Sequence, residues 1–183
     1  MNETSTLNIP VFYACTTASL DGPPLEIAWA ALAVDALETH GVVWGSHLIR
    51  PSAAWISELV RDPSALQPYG LALSDLRDFG TPPRELAAHM NEDLAGRELF
   101  SAVPEDDARI RRIFDAAKMA PEFVLRGSDA DELIAELARL RRLPHATTAR
   151  AKREAAAMCL TGIRAEAKAR FLAAYWGLVA GLN

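Results

Sequence analysis

The first 49 residues contain three strand-like runs, and the chain then changes to a mainly helical pattern. The runs at 9–16, 25–34 and 41–49 are rich in Val, Ile, Trp and other aromatic residues, with turn signals such as DGPP between them. Consecutive strands joined by short turns pair in antiparallel fashion. This start predicts a sheet that begins as a three-stranded antiparallel meander.

Helical periodicity follows a loop-rich stretch over 50–70. Thr81 is a favourable N-cap before Pro82, and a helix is predicted over 82–94. The runs ELFSAV and EFVLRG have the length of short strands, and an amphipathic helix follows each. The second of these helices begins with a capping-box pattern, Ser128 to Asp131. Two more helices are predicted over 145–159 and 164–182.

This order of elements predicts an α/β fold: a mixed five-stranded sheet, with an antiparallel meander, parallel crossovers and helices on its faces. At 183 residues the chain fits a single domain over 1–183, with a flexible N-terminus at 1–9 and a C-terminal helix within 160–183. Sites in such sheets form at the carboxyl ends of central strands. The end of the first strand is therefore the place to search.

Composition excludes several classes of protein. No apolar run reaches the length of a membrane span, and MNETSTLNIP lacks the features of a signal peptide, so we expect a cytoplasmic protein without a membrane partner. Cys15 and Cys159 form no C-x-x-C or Cys/His ligand pattern. They are predicted to be buried, reduced thiols.

Charge is distributed unevenly along the chain. Residues 1–107 carry 5 Lys/Arg and 16 Asp/Glu, a balance of −11, whereas 108–183 carry 14 and 8, a balance of +6. The basic residues of the second part include three clusters: Arg109, Arg111 and Arg112; Arg139, Arg141 and Arg142; and Arg150, Lys152 and Arg153. Such clusters can follow a phosphate backbone, although a solvated helix face is the simpler interpretation of any one of them.

Several segments together resemble the DEDDh 3′-5′ exonucleases, ribonuclease-H-like enzymes that include ribonuclease T and the proofreading subunit of DNA polymerase III. Besides the strand order, these segments are PLEIAWAAL, SHLIRP, LFSAVPEDDARIRRIF and PHATTARAKREA. The resemblance covers roughly residues 10–154. It depends on the order and spacing of the segments rather than on one motif.

The resemblance implies a two-metal mechanism, in which four carboxylates hold two divalent ions and a histidine acts as general base. The first two carboxylates of the family fall on Ala14 and Thr16, and the third falls on Asp107. The histidine falls on His145 and the fourth carboxylate on Arg150. Asp107 and His145 are thus the retained catalytic positions, and the other three are substituted.

These substitutions predict the loss of two-metal catalysis. Hard divalent cations need several oxygen ligands, and a unit charge about 5 Å from such an ion is worth about 6 to 7 kcal/mol at a dielectric constant near 20. We expect no metal cofactor, with Arg150 in place of the ions, either paired with Asp107 or holding a phosphate. Arg150, Lys152 and Arg153 would then bind a single-stranded nucleic acid or a nucleotide.

Two alternatives remain open at this point. One is an active, Mg- or Mn-dependent 3′-5′ exonuclease that uses displaced ligands from Glu26, Asp106 and Asp107. The other is a protein-interaction module.

Three further features have a structural interpretation. His47 and His89 have no Cys or acidic partners at ligand spacing, so we expect a structural role for both. The last helix carries Phe171, Leu172, Tyr175, Trp176 and Val179. It would dock on the sheet or form a homodimer face, and docking is the simpler expectation.

Overall fold

A computed structural model describes residues 9–34, 40–127, 129–159 and 162–182. Its five strands form one sheet in the order β3-β2-β1-β4-β5. The strands are β1 (Val11–Thr17), β2 (Pro24–Val34), β3 (His40–Leu48), β4 (Glu98–Phe100) and β5 (Val124–Leu125). The first three pair antiparallel, whereas β4 pairs parallel with both β1 and β5. The predicted mixed five-stranded α/β sheet is confirmed.

Seven α-helices lie in the described parts of the chain. They are α1 (Ala53–Arg61), α2 (Leu73–Phe79), α3 (Pro83–Leu94), α4 (Asp106–Ala117), α5 (Ala130–Leu140), α6 (His145–Met158) and α7 (Ala165–Ala180). The loop predicted over 50–70 was wrong, because it contains α1 and a 3₁₀ helix at Pro63–Tyr69. Trp55 and Leu59 lie four residues apart on α1, and both are buried. Ser52 caps this helix by accepting from the Trp55 N–H at 3.4 Å.

The start of α3 differs from its prediction by one residue. Pro82, rather than Thr81, is the N-cap, and the helix begins at Pro83. Thr81 instead lies before the helix, where its N–H donates to the Leu48 carbonyl at 2.8 Å. The predicted capping box at the start of α5 involves Ser128, which lies outside the described residues.

The two faces of the sheet carry different cores. On one face, large side chains of the sheet and of helices α3 and α4 pack together; they include Tyr13, Trp29, Leu86, Met90, Ile110, Ile113 and Phe114. On the other face, many small side chains of the sheet and of α5, α6 and α7 pack together; they include Ala14, Ala28, Ala30, Ala130, Ala151, Ala165 and Ala169. Alternate residues of β1 therefore point into cores of different character.

Helix α7 docks on the alanine-rich face, as expected, with Leu172, Trp176 and Val179 buried. Gly177 permits a close approach, because a Cβ atom there would lie 2.7 Å from a methyl carbon of Leu32. Cys15 and Cys159 are both buried and unbonded to one another, which agrees with their predicted state as free thiols. No helix among the described residues is long and apolar enough to cross a membrane.

Candidate functional site

The end of β1 places Ala14 and Thr16 on the alanine-rich face. Each is only 2% exposed. In the antiparallel pairing of β1 with β2, Ala14 lies opposite Ala28 and Thr16 lies opposite Glu26. The position of Ala14 is closed by the apolar cluster that also contains Ala151 of α6 and Ala165 of α7. This part of the face is therefore packed with methyl groups.

A hydrogen-bond network surrounds the fully buried carboxylate of Glu26. The Arg164 guanidinium donates to it twice, from Nη2 to Oε1 at 2.9 Å and from Nε to Oε2 at 3.1 Å. Ser46 Oγ donates to Oε1 at 2.9 Å, and Thr16 Oγ1 donates to Oε2 at 3.3 Å. Two-point pairing with a guanidinium is the strong form of a charge-assisted hydrogen bond.

The first turn of α7 completes this network. The Ala165 N–H donates to Thr16 Oγ1 at 2.9 Å and to Glu26 Oε2 at 3.1 Å. An N-terminal helix N–H has no partner within its own helix, and the helix dipole favours a negative charge there. The Thr16 hydroxyl thus uses both its proton and a lone pair, and Glu26 has a neutralising cation in Arg164.

Two further acids lie at the start of α4, and each of them has its own hydrogen-bond partner. Asp106 is fully buried, accepts from Ser101 Oγ at 2.7 Å and pairs with Arg109 Nη1 at 2.6 Å. Asp107 is partly buried and accepts from the Tyr13 hydroxyl, which reaches it from the large-residue face of β1. Burial, reinforced by Asp107, raises the pKa of Tyr13 well above its ordinary value, so this phenol stays a donor.

His145 and Arg150, the two site positions predicted on α6, lie on the exposed side of that helix. His145 is the first residue of that helix and is exposed. Arg150 pairs with Glu154 of its own helix at 3.6 Å, and its side chain is 68% exposed. The expectation that Arg150 pairs with Asp107 was wrong, because Tyr13 is the partner of Asp107 and the cation within the buried network is Arg164.

The displaced acids do not converge on a metal position. Glu26 is bound by Arg164, Asp106 by Arg109, and Asp107 by Tyr13. In the described parts of the chain, no group of three or more His, Cys, Asp or Glu side chains is arranged to hold a metal ion. Ala14 supplies no oxygen, and the Thr16 hydroxyl is committed, so these residues do not fit the two divalent ions that the resemblance implies.

Many residues of the three basic clusters have internal partners. Arg109 pairs with Asp106, Arg112 donates to Glu58, and Arg139 pairs with Glu136. In the third cluster, the Lys152 ammonium lies 5.9 Å from the centre of the Tyr175 ring. Arg153 is exposed on α6. Arg150, Lys152 and Arg153 of α6 are thus all exposed, as are Arg111, Arg141 and Arg142 of the other two clusters.

His47 and His89 lie between the sheet and α3, with their ring centres 5.9 Å apart. The His47 ring also stacks on Trp29, at 5.3 Å between centres. Burial, followed by the neighbouring His89, lowers the pKa of His47. This packing agrees with the structural role expected for both residues.

The sequence interpretation missed three residues of the site: Arg164, Ser46 and Tyr13. Arg164 is separated from Glu26 by 138 positions in the chain, and no local motif links the two. Ser46 could have been found from the alternation of side chains along β3, because this alternation places Ser46 on the same face of the sheet as Trp44. Tyr13 lies on the opposite face of β1 from Ala14 and Thr16, and its hydroxyl donates to Asp107.

No protein-family model matches the sequence, and no curated protein matches it. Solved structures do match. One match is to an exonuclease I structure that is described as suggesting how processivity is achieved. The aligned region covers 72% of this chain and 30% of the exonuclease chain, with 15% sequence identity and a TM-score of 0.51. Another match is to a zinc-bound complex of E. coli exonuclease I with single-stranded DNA. The aligned region covers 95% of this chain and 39% of the exonuclease chain, with 16% sequence identity and a TM-score of 0.52.

This chain therefore spans well under half the length of the exonuclease chains that it matches. At such low identity the likeness concerns the fold. The mixed five-stranded sheet with its flanking helices is the α/β fold that this chain shares with these exonuclease I structures.

Proposed function

We propose that this protein is an exonuclease-like protein that has lost two-metal catalysis and retains, at most, binding of a single-stranded nucleic acid or a nucleotide. The observation that carries the proposal is the closed packing around Ala14 and Thr16, the positions that match the first two metal-binding carboxylates. A methyl group and a hydroxyl that is already engaged in two hydrogen bonds offer no anionic oxygen to a hard cation.

The commitments of the remaining acids favour this proposal over an active enzyme with displaced ligands. To bind a metal, Glu26 would have to release Arg164, and Asp106 would have to release Arg109. Releasing Arg109 from the buried Asp106 would cost about 3 to 5 kcal/mol, and releasing Arg164, whose side chain is 42% exposed, would cost about 1 to 3 kcal/mol. Asp107 and His145 would be remnants of the catalytic set in this proposal.

The exposed basic face of α6 supports nucleic-acid binding. Arg150, Lys152 and Arg153 project from this helix, and the one ion pair of Arg150 is exposed and long. Exposed ion pairs are worth about 0 to 1 kcal/mol, so a phosphate can replace Glu154 at little cost. The match to an exonuclease I solved with single-stranded DNA is consistent with such a ligand.

A combined nuclease and binding experiment on the full chain tests the proposal. A labelled single-stranded oligonucleotide is incubated with Mg²⁺ or Mn²⁺, and its binding is measured between about 50 and 200 mM salt, the range over which phosphate contacts weaken. We expect no metal-dependent cleavage. We expect that changing Arg150, Lys152 and Arg153 together to Gln lowers the salt slope by about 2, since each phosphate contact to a single strand contributes about 0.7.

Changing Arg61, Arg77 and Arg84 together to Gln is the matched control, because these exposed arginines lie away from α6. An equal loss of binding in this control would contradict the assignment to α6. Cleavage that disappears in Asp107→Ala would show an active exonuclease, and absence of binding at low salt would favour the protein-interaction module.

A further inference from the structure

The two edges of the sheet, β5 and β3, differ in how they are protected. β5 has two residues, and Arg126, which directly follows it, pairs with Glu98. β3 has nine residues, and its sequence HGVVWGSHL contains no Lys, Arg, Asp, Glu or Pro. Natural sheets protect their edges with short strands, charged side chains or proline, because an open edge pairs readily with another chain. β3 has none of these protections.

The register of β3 shows which of its backbone groups point away from the sheet. The Ile49 N–H donates to the Leu25 carbonyl at 2.8 Å, and this pair continues the register of β2 and β3. Hydrogen-bonded pairs alternate along an antiparallel ladder, so the odd-numbered residues of β3 bond to β2 and the even-numbered residues face outward. The Leu48 carbonyl accepts from the Thr81 N–H on this outer side. Between positions 40 and 46, no described segment other than β2 pairs with β3.

The open part of β3 also carries exposed apolar side chains at its centre. Val43 is 54% exposed and Trp44 is 47% exposed, and the two project from opposite faces of the sheet. Next to Trp44 along the strand, Val42 lines a cavity of about 410 Å³ between the sheet and helices α6 and α7. The edge therefore combines unused backbone hydrogen-bonding groups with apolar surface on both faces.

We propose that β3 pairs with β3 of a second copy of this chain, antiparallel about a twofold axis at Val43. Val43 is the midpoint of the open stretch 40–46, which ends where Thr81 covers the edge. In this register each Val43 faces the same residue of the other copy, and each Trp44 faces Val42 of the other copy. The outward groups at positions 40, 42, 44 and 46 then form about eight main-chain hydrogen bonds, within the range typical of protein interfaces.

The composition of the edge favours a second copy as the occupant. A twofold interface joins the same patch of both molecules, so the patch must be complementary to itself. With no Lys, Arg, Asp or Glu in β3, identical strands meet without opposed like charges. The cross-strand contact of Trp44 with Val42 also places the exposed ring beside the wall of the partner's cavity.

The size of the contact predicts how strong the dimer is. One strand pair is smaller than the about 1,200 to 2,000 Å² of a typical stable interface, so we expect a reversible dimer with a Kd in the micromolar range. The proposal is independent of the nucleic-acid function proposed above, because it uses none of the basic residues of α6.

Sedimentation velocity of the full chain between about 1 and 300 µM tests the proposal, and we expect a shift from monomer to dimer over this range. Val43→Lys and Val43→Glu each place like charges opposite one another at the axis, so each should weaken self-association at least about tenfold. Equal amounts of the two variants should associate with one another when mixed, because opposite charges then face each other. Recovery in the mixture also shows that both variants are folded.

Val124→Lys is the matched control, since it places the same charge at an exposed valine of the other edge strand and should leave the dimer unchanged. A monomer at every concentration would overturn the proposal and favour an extended peptide as the occupant of the edge. A dimer that persists in both Val43 variants would overturn it in favour of another face. Failure of the mixed variants to associate would refute the axis at Val43.

Discussion

The two faces of β1 have opposite kinds of packing. Tyr13 points toward large side chains of α3 and α4, whereas Ala14 points toward alanines of α6 and α7. The distance between packed elements depends on the size of the side chains at the contact. The alanine-rich face therefore lets the backbone at the start of α7 approach the sheet closely, and the Ala165 N–H reaches Thr16 and Glu26.

The same contrast separates the two buried acids. Asp106 pairs with Arg109, three residues later on the same helix, so both members of this pair come from α4. Glu26 pairs with Arg164, which arrives only when α7 docks. The small-residue face thus contains a polar network that depends on tertiary structure, whereas the large-residue face depends mainly on apolar packing.

The largest effect on stability is expected from Ala14→Asp, which places a carboxylate directly within the alanine-rich face. An unpaired carboxylate in this alanine cluster should lower the free energy of unfolding by about 3 to 5 kcal/mol. Urea unfolding followed by circular dichroism measures it, with Ser19→Asp at an exposed turn as the control. Recovery of most of the lost stability on addition of Mg²⁺ would instead show that position 14 still lies in a metal site.

Arg164→Met should have the next largest effect, because it leaves the buried Glu26 carboxylate without its cation. We expect a loss of about 1 to 3 kcal/mol, below the full cost of an uncompensated buried charge because the Arg164 side chain is 42% exposed. Combining it with Glu26→Gln in a double-mutant cycle should give a coupling of at least about 1 kcal/mol. Arg61→Met is the control, and additive effects in the cycle would refute the pairing.

Tyr13→Phe tests the large-residue face, and it should cost about 1 kcal/mol through the lost hydrogen bond to Asp107. The pKa of Tyr13 is raised in the folded protein, so the unfolded chain releases this proton first as pH rises above 10.0. Stability should therefore fall in alkaline solution. Chemical unfolding at neutral and alkaline pH should show a smaller fall in Tyr13→Phe than in the wild type, and an identical fall would contradict the assignment.

The smallest effect concerns His47 on the same face. Its pKa is lowered from 6.5 in the folded protein, so the unfolded chain takes up this proton first on acidification. The contribution of His47 to stability is complete above pH 6.5 and is lost as pH falls below it. Melting temperatures at neutral and mildly acidic pH should differ less in His47→Gln, and an unchanged difference would exclude this origin.

The sequence was a good guide where a pattern is local. The antiparallel start of the sheet, the buried stripe of α4 and the docking of α7 were all predicted. The helices within the loop predicted over 50–70 were missed because Pro63 and Pro68 interrupt short amphipathic segments. In these segments tertiary burial of residues such as Trp55 outweighs the local loop signals.

For the candidate site, by contrast, the sequence was a poor guide. The resemblance to the DEDDh exonucleases pointed to Ala14, Thr16 and Asp107, and it led us to expect that Arg150 pairs with Asp107 or holds a phosphate. Arg150 lies on the exposed side of α6, and Arg164 supplies the buried charge. The error arose because helical spacing gives no information about which arginine faces the sheet.

The local sequence was sufficient to specify the strands, most of the helices and the absence of carboxylates at Ala14 and Thr16. Only the tertiary structure decided what surrounds these two positions: an alanine-lined contact, a helix N-terminus and the Arg164–Glu26 pair. The physical reason is that periodicity arises from neighbouring residues, whereas the partner of a buried charge can come from any part of the chain that packs against it.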